Sequence, residues 1–493
     1  MEGRSQRYSL HFEIWALEKI TRSPRQSRYF SFAPAAPMLP SKTPSSIAAQ
    51  SLFPTQLATL LLIFIAIAYG LQVVSPLRIN TDAYRLLSMA VSSSDGNGYL
   101  VDGQPDQFPN GYPFLVKIML MAGIADSASL VALNLLFYAG GLYVLWVLAR
   151  SMVGRSLALV VVLWVASSWL LIKHATIPLS DAGYFGISLA ALYCLWKFYN
   201  GCLAATWSWL LAALVLIFLS LQFRTVGITL LPTAAVTIVL HSGFRPIWVS
   251  LAKYKAKIAW SLAMVGGIGS ICLVWVFQTE WFDSQFLAKG SYFQSMLGYF
   301  ERQGVFGFFG SNLGFRLREM GEIALNFPEN KLAFLSPAFY LAGLAAWGFV
   351  GLGCISLVKR GFLPLVAYLF FYLGLMMLWP YYDTRFWIPL LPVFALAVWV
   401  WLEEVGSDRK LLRLSVTGVL ACHILLGSAA LAFSTRISMA GNRVSEYFGE
   451  ETTRMTYREA LWNGLPVDAA LVHVGKVRIL QVFEPMAKHN LSK

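Results

Sequence analysis

The sequence predicts an all-α, polytopic membrane protein, and three observations carry that prediction. Of its 493 residues 57% are hydrophobic, and only 13% are charged, against roughly 25% in soluble domains. The apolar residues are gathered into runs long enough to span about 30 Å of hydrocarbon. Lys and Arg crowd alternate loops between those runs, the bias that sets membrane orientation.

The same numbers exclude other classes. The net charge of +13 marks cytoplasmic loops and neighbouring anionic lipid, not nucleic acid. No basic-aromatic RNA-binding signature is present. The five cysteines (Cys194, Cys202, Cys272, Cys354 and Cys422) sit in or beside apolar runs without a CxxC pair. Neither a disulfide framework nor a zinc site is therefore expected. The six histidines show no HxxxH or HExxH spacing.

Residues 1–50 form a basic leader with Arg4, Arg7, Lys19, Arg22, Arg25, Arg28 and Lys42. Its distance from the first apolar run argues against a cleavable signal peptide, and it reads as a cytoplasmic tail, with Met38 as an alternative start. About eleven spans (about 10–13) follow within 51–433. They fall near 54–74, 128–149, 155–172, 181–197, 205–222, 225–241, 257–277, 333–356, 361–379, 386–402 and 412–433. The stretch 112–124 carries Lys117 and reads as interfacial or as a lead-in to the second span.

With the N-terminus inside, the short cytoplasmic loops hold Arg150, Arg155, Lys197, Arg245, Lys253, Lys255, Lys257, Lys359, Arg360, Arg409, Lys410 and Arg413. The opposite short loops hold only Lys173, Arg224 and Arg385. The outer face then receives a first loop (75–127), a long loop (278–332) and a C-terminal segment (434–493). In the long loop "LGFRLREMGEIALNF" predicts an amphipathic helix on the membrane surface, with Leu313, Leu317, Met320 and Leu325 on one side. In the tail "AALVHVGKVRILQVF" alternates enough for a strand pair.

Polar residues cluster at the outer ends of the spans: Asp82, Tyr84 and Arg85; Lys173, His174, Ser180 and Asp181; Gln222 and Arg224; Tyr381, Tyr382, Asp383 and Arg385. Ionisable groups near membrane depth are costly and point to function. Each also has a plainer reading. Thr81 or Asp82 could cap the helix "AYRLLSMA", and Ser180 and Asp181 could open the next one. Arg224 and Arg385 could snorkel to headgroups, and Lys173 and His174 could anchor at the interface. The glycines of "VGGIGS" suit close helix packing.

Four spaced pieces resemble the C-type (GT-C) glycosyltransferases, in particular the aminoarabinose transferase and protein O-mannosyltransferase branch (families 39/83). They are "TDAYRLLSMA" followed by "FPNGYPFLVKIML"; "IPLSDAGYFGISLAALYCLWKF"; "FRTVGITLLP"; and "YYDTRFWIPLLP". The resemblance covers roughly residues 55–400 as order and spacing. The family's proline doublet is here "NGYP", and its usual Glu is Asp181.

The resemblance implies a GT-C-like helical bundle that moves a hexosyl or pentosyl group from a polyprenyl-phosphate sugar. The acceptor would be a lipid, a glycan or a protein. Asp82 would be the base in a single, inverting displacement. Arg224 and Arg385, with Lys173 weaker, would stabilise the departing phosphate. Tyr84, Tyr382 and Asp181 would orient substrate or arginines, and Arg85 and Asp383 join the substrate-binding set. No metal site is assigned; a divalent cation is left open as a cofactor. The setting implied is a bacterial inner membrane with the site facing the periplasm or exterior. The alternative reading is a transporter or flippase of a lipid-linked or amphiphilic substrate, in which charges would sit near the midplane.

Overall fold

The computed structural model describes residues 55–75, 77–201, 206–241, 292–405 and 410–440, with Ile479, Val482 and Phe483. The leader, the expected span 257–277, residues 278–291 of the long loop and nearly all of 441–493 lie outside the described residues. The described part is built from α-helices and one minimal β-hairpin. Six of its helical segments are long and apolar enough to cross a membrane. The chain is an integral, multi-pass membrane protein.

Helix α1 (Thr55–Leu71) is apolar on every side. Ile65 and Ala68 face inward, while Leu60 (63% exposed) and Ile67 (58%) face outward, an arrangement that only a hydrocarbon surrounding favours. Helix α2 (Thr81–Ser94) follows. Strands β1 (Leu100–Val101) and β2 (Gln104–Pro105) then pair antiparallel. Positive φ at Asp102 and Gly103 joins them, the backbone that a two-residue hairpin turn demands. Helix α3 (Gly111–Met121) covers most of the short stretch singled out at 112–124.

Helix α4 (Ser127–Ala166) starts on an Asp126 cap and breaks at Gly154, where φ is +80°. Its two limbs are the expected spans 128–149 and 155–172, the second stopping early at Ala166. Helix α5 (Trp169–Ala175) continues after a turn at Ser167 and Ser168. Helices α6 (Ser180–Asn200), α7 (Thr206–Phe223) and α8 (Leu230–His241) follow, the last two joined by Arg224 and a 3-10 turn over Thr225–Thr229.

Helix α9 (Tyr292–Leu325), broken at Gly304, supplies the helix expected in the long loop. Its buried stripe is polar: Asn312, Arg316, Glu319 and Glu322, continued by Asn326. Of the residues expected on its apolar side, Leu313 and Leu325 are exposed and Met320 is buried. The helix therefore turns Arg316, Glu319 and Glu322 into the protein and part of its apolar side outward.

Helices α10 (Ser336–Lys359) and α11 (Leu363–Leu378) each open with a proline in the first turn, where the missing N–H costs nothing. A 3-10 segment (Thr384–Leu390) leads into α12 (Leu391–Val405). Helix α13 (Lys410–Ala440) runs beyond the expected end of its span. In the tail, Ile479, Val482 and Phe483 are helical rather than extended. Ile479 and Phe483, four residues apart, are both buried, which suits one face of a helix.

Helix α12 is the central post, with every residue from Leu391 to Ala397 buried. Helices α10 and α4 pack against it, α9 lies along α10, and α6 lies along α4 and α7. Small residues allow the closest approaches. Gly321 of α9 faces the Phe339 backbone, and Gly343 of α10 faces the Leu317 backbone, so the two helices share a reciprocal glycine seam. Gly348, on the same helix as Gly343, meets open space. Gly343→Leu is expected to destabilise the protein by about 1–3 kcal/mol or more through overpacking. Gly348→Leu should leave stability within about 0.5 kcal/mol. Thermal unfolding in detergent compares the two.

Candidate active site

The cap of α2 is neither Thr81 nor Asp82. The Asn80 side chain accepts the Ala83 N–H at 2.8 Å, which leaves Asp82, one step into the helix, free to reach elsewhere. Its carboxylate pairs with the guanidinium of Arg385. Asp383 completes that centre. One of its oxygens accepts the Arg385 backbone N–H at 3.1 Å, and the other meets Arg385 Nε at 2.8 Å. Arg385 thus stands between two carboxylates, where a cation would otherwise be drawn. Among the described residues, no three His, Cys, Asp or Glu side chains gather to hold a metal ion.

A second pair lies beside the first. Asp181, in the first turn of α6, holds Arg224 Nη1 at 2.7 Å. The α6 start has no side-chain cap, so Asp181 answers Arg224 and not its own helix. The ring of Phe386 joins the pairs: the guanidinium carbons of Arg224 and Arg385 lie 5.2 Å and 5.3 Å from its centroid. Tyr372 fixes that residue by donating its hydroxyl to the Phe386 carbonyl at 2.5 Å. Arg385 Nη1, and Nε and Nη2 of Arg224, lie outside these pairs, so two cations on one ring retain donors for an anion.

Other predicted residues do different work. The Tyr84 hydroxyl donates to Asp102 Oδ1 at 2.8 Å. Arg85 grips Asp106 through Nε and Nη2, both at 2.7 Å, and lies over the Phe108 ring. Both side chains tie the hairpin and its return strand to α2, not to the arginine centre. Lys173 lies over the Trp169 ring at 5.5 Å. Tyr382 donates to Glu322 Oε1 at 2.7 Å, with Arg318 over its ring.

The polar stripe of α9 supplies the residues that the sequence reading missed. Glu319 accepts the Asp383 N–H at 3.0 Å, Trp387 Nε1 at 2.7 Å and Arg316 Nη1 at 2.5 Å. Arg316 also donates to the carbonyls of Trp379 and Tyr381 at 3.1 Å and 2.8 Å. The signal was present as polar residues at 312, 316, 319, 322 and 326, one helical stripe within an apolar helix. Burial pushes the Glu319 carboxyl up to about 7, although Arg316, the indole and the Asp383 amide all favour the anion.

No protein-family model and no curated protein matches the sequence. Similarity appears in the fold. ArnT from Cupriavidus metallidurans, in a crystal structure bound to undecaprenyl phosphate, superposes with a TM-score of 0.50 at 13% identity, covering 87% of this chain and 77% of that one. The chain has a GT-C-like fold. Apo ArnT from the same organism gives 0.46 at 13% identity, over 78% and 74%. The Archaeoglobus fulgidus oligosaccharyltransferase, in complex with zinc and sulfate, gives 0.42 at 14%, over 81% and 57%. Within this GT-C-like fold the two Asp–Arg pairs lie at the N-terminal end of the central helix. The Arg360 cluster with Glu403 and Glu404 marks its other end.

Removing one member of a buried pair strands the other charge. Arg224→Met is expected to lower stability by about 3–5 kcal/mol, and adding Asp181→Leu should recover most of that loss. Thermal unfolding of the single and double variants checks this. The raised Glu319 carboxyl carries a second expectation. In the fold it keeps a proton that the unfolded chain releases above the ordinary value of 4.5. Its contribution to stability therefore falls as pH rises from about 4.5 to about 7. The melting-temperature difference between wild type and Glu319→Gln should shift against the wild type over that window.

Proposed function

We propose that the chain is a glycosyltransferase that takes a sugar from a polyprenyl-phosphate donor at the outer face of a bacterial inner membrane. The observation that carries this reading is the pairing of Arg224 and Arg385 on one aromatic ring, with the Asp82 carboxylate beside them. The fold supports it: the ArnT structure that this chain resembles holds undecaprenyl phosphate.

The phosphate of the donor binds the guanidinium donors that the carboxylates leave unused, and its lipid tail stays in the bilayer. Asp82 takes the proton of an acceptor hydroxyl. The freed oxygen attacks the anomeric carbon as the bond from that carbon to the phosphate oxygen breaks. The bond pair leaves with the polyprenyl phosphate, whose charge the arginines stabilise most as it develops. Attack from the side opposite the leaving group inverts the anomeric centre. Asp181 and Asp383 hold the two arginines in place through the reaction. The acceptor is a hydroxyl of a lipid, a glycan or a protein.

Purified protein should transfer sugar from a polyprenyl-phosphate sugar panel, with inversion detected by NMR of the product. Asp82→Asn is expected to lower the rate by about 10²–10⁴-fold, the usual worth of a general base. Arg385→Lys, which keeps the charge but loses the planar fork, should raise the donor KM. Substrate movement across vesicles with wild-type kinetics in Asp82→Asn would instead identify a transporter and overturn the reading.

A further inference from the structure

Arg385 lies in a strap, residues 379–387, that connects α11 to the centre of the molecule. Five points of that strap are held by α9. Arg316 takes the carbonyls of Trp379 and Tyr381, Glu322 takes the Tyr382 hydroxyl, and Glu319 takes the Asp383 amide and the Trp387 indole. The two groups on Glu319 stand two residues to either side of Arg385. Arg385 itself pairs not with α9 but with Asp82 and Asp383. The strap is thus gripped by one helix and presents its cation to another.

We infer that Glu319 is a positioning residue for Arg385, setting where the guanidinium stands through the Asp383 amide and the Trp387 indole. Its importance for transfer rests on the function proposed above. Both Glu319 and Trp387 are fully buried, so no water can replace a lost bond, and donors left unmatched there are costly. Above about pH 7 Glu319 is ionised and both its oxygens accept, whereas a glutamine has nearly the same volume but only one acceptor oxygen. Its amide nitrogen would face an N–H donor on one side, so at least one of the two anchors flanking Arg385 is lost. A residue that served only to dock α9 would bond to α10, its neighbour along the glycine seam. Among the described residues, Glu319 bonds to its own helix and to the strap and not to α10.

The full-length protein in detergent tests this with phenylglyoxal, which modifies arginines at rates read by mass spectrometry. Arg360, at the opposite end of the central helix, is the internal control. Glu319→Gln should speed modification of Arg385 about tenfold with Arg360 unchanged, and raise the donor KM about tenfold with kcat less affected, a factor equal to about 1.4 kcal/mol. Trp387→Phe keeps an aromatic side chain but removes the indole N–H and so one anchor, and should show the same pattern more weakly even where Glu319→Gln does not fold. Unchanged Arg385 reactivity in a folded variant overturns the inference. So does equal acceleration at Arg385 and Arg360 in Trp387→Phe, which would make Glu319 a packing residue. If wild type transfers no sugar, the proposed function fails, while the reactivity comparison still decides the positioning.

Discussion

A buried guanidinium is stable only when its charge is answered, and Arg385 is answered from two directions. Asp383, two residues earlier, supplies a local partner. Asp82 supplies a remote one from the first helix after the leading span. Breaking either contact would leave charge in a medium that hydrates it poorly. The pair therefore closes the bundle: it joins the early part of the chain to the lead-in of the central helix. Everything else at that end is arranged around this constraint.

The arrangement explains why α9 is built with its charges inward. A strap that holds a cation between two acids must itself be fixed, and backbone amides and carbonyls are the groups available for fixing it. Arg316 and Glu319 match them, acceptor to amide and donor to carbonyl. The reciprocal glycines of α9 and α10 bring this helix close enough to serve. Packing along the seam, polar matching along the strap and charge placement at Arg385 are three levels of one construction.

Polar residues two and three positions apart have separate duties here. Asp82 faces the arginine, while Tyr84 and Arg85 secure a hairpin whose Asp-Gly turn brings Asp102 and Asp106 within reach. The hairpin then braces α2, and α2 holds Asp82. The cap on Asn80 matters for the same reason, since it satisfies the helix start without using the Asp82 carboxylate.

Much of this was legible in the sequence. Composition and run length determined a polytopic helical membrane protein, because hydrocarbon admits few other ways to satisfy a backbone. The clustering of Asp82, Asp181, Arg224, Asp383 and Arg385 at span ends was also legible, since charge in such a chain is rare enough to stand out. The partners were not. Whether Asp82 capped a helix or met Arg385 depended on Asn80 and on which helix came near. The polar stripe of α9 was read by its apolar side, because a sequence records periodicity but not which face turns inward. Only the tertiary structure decided that, since the inward face is chosen by what waits across the gap. Here that was a strap offering two carbonyls, an amide and an indole, which charged side chains satisfy and leucines cannot.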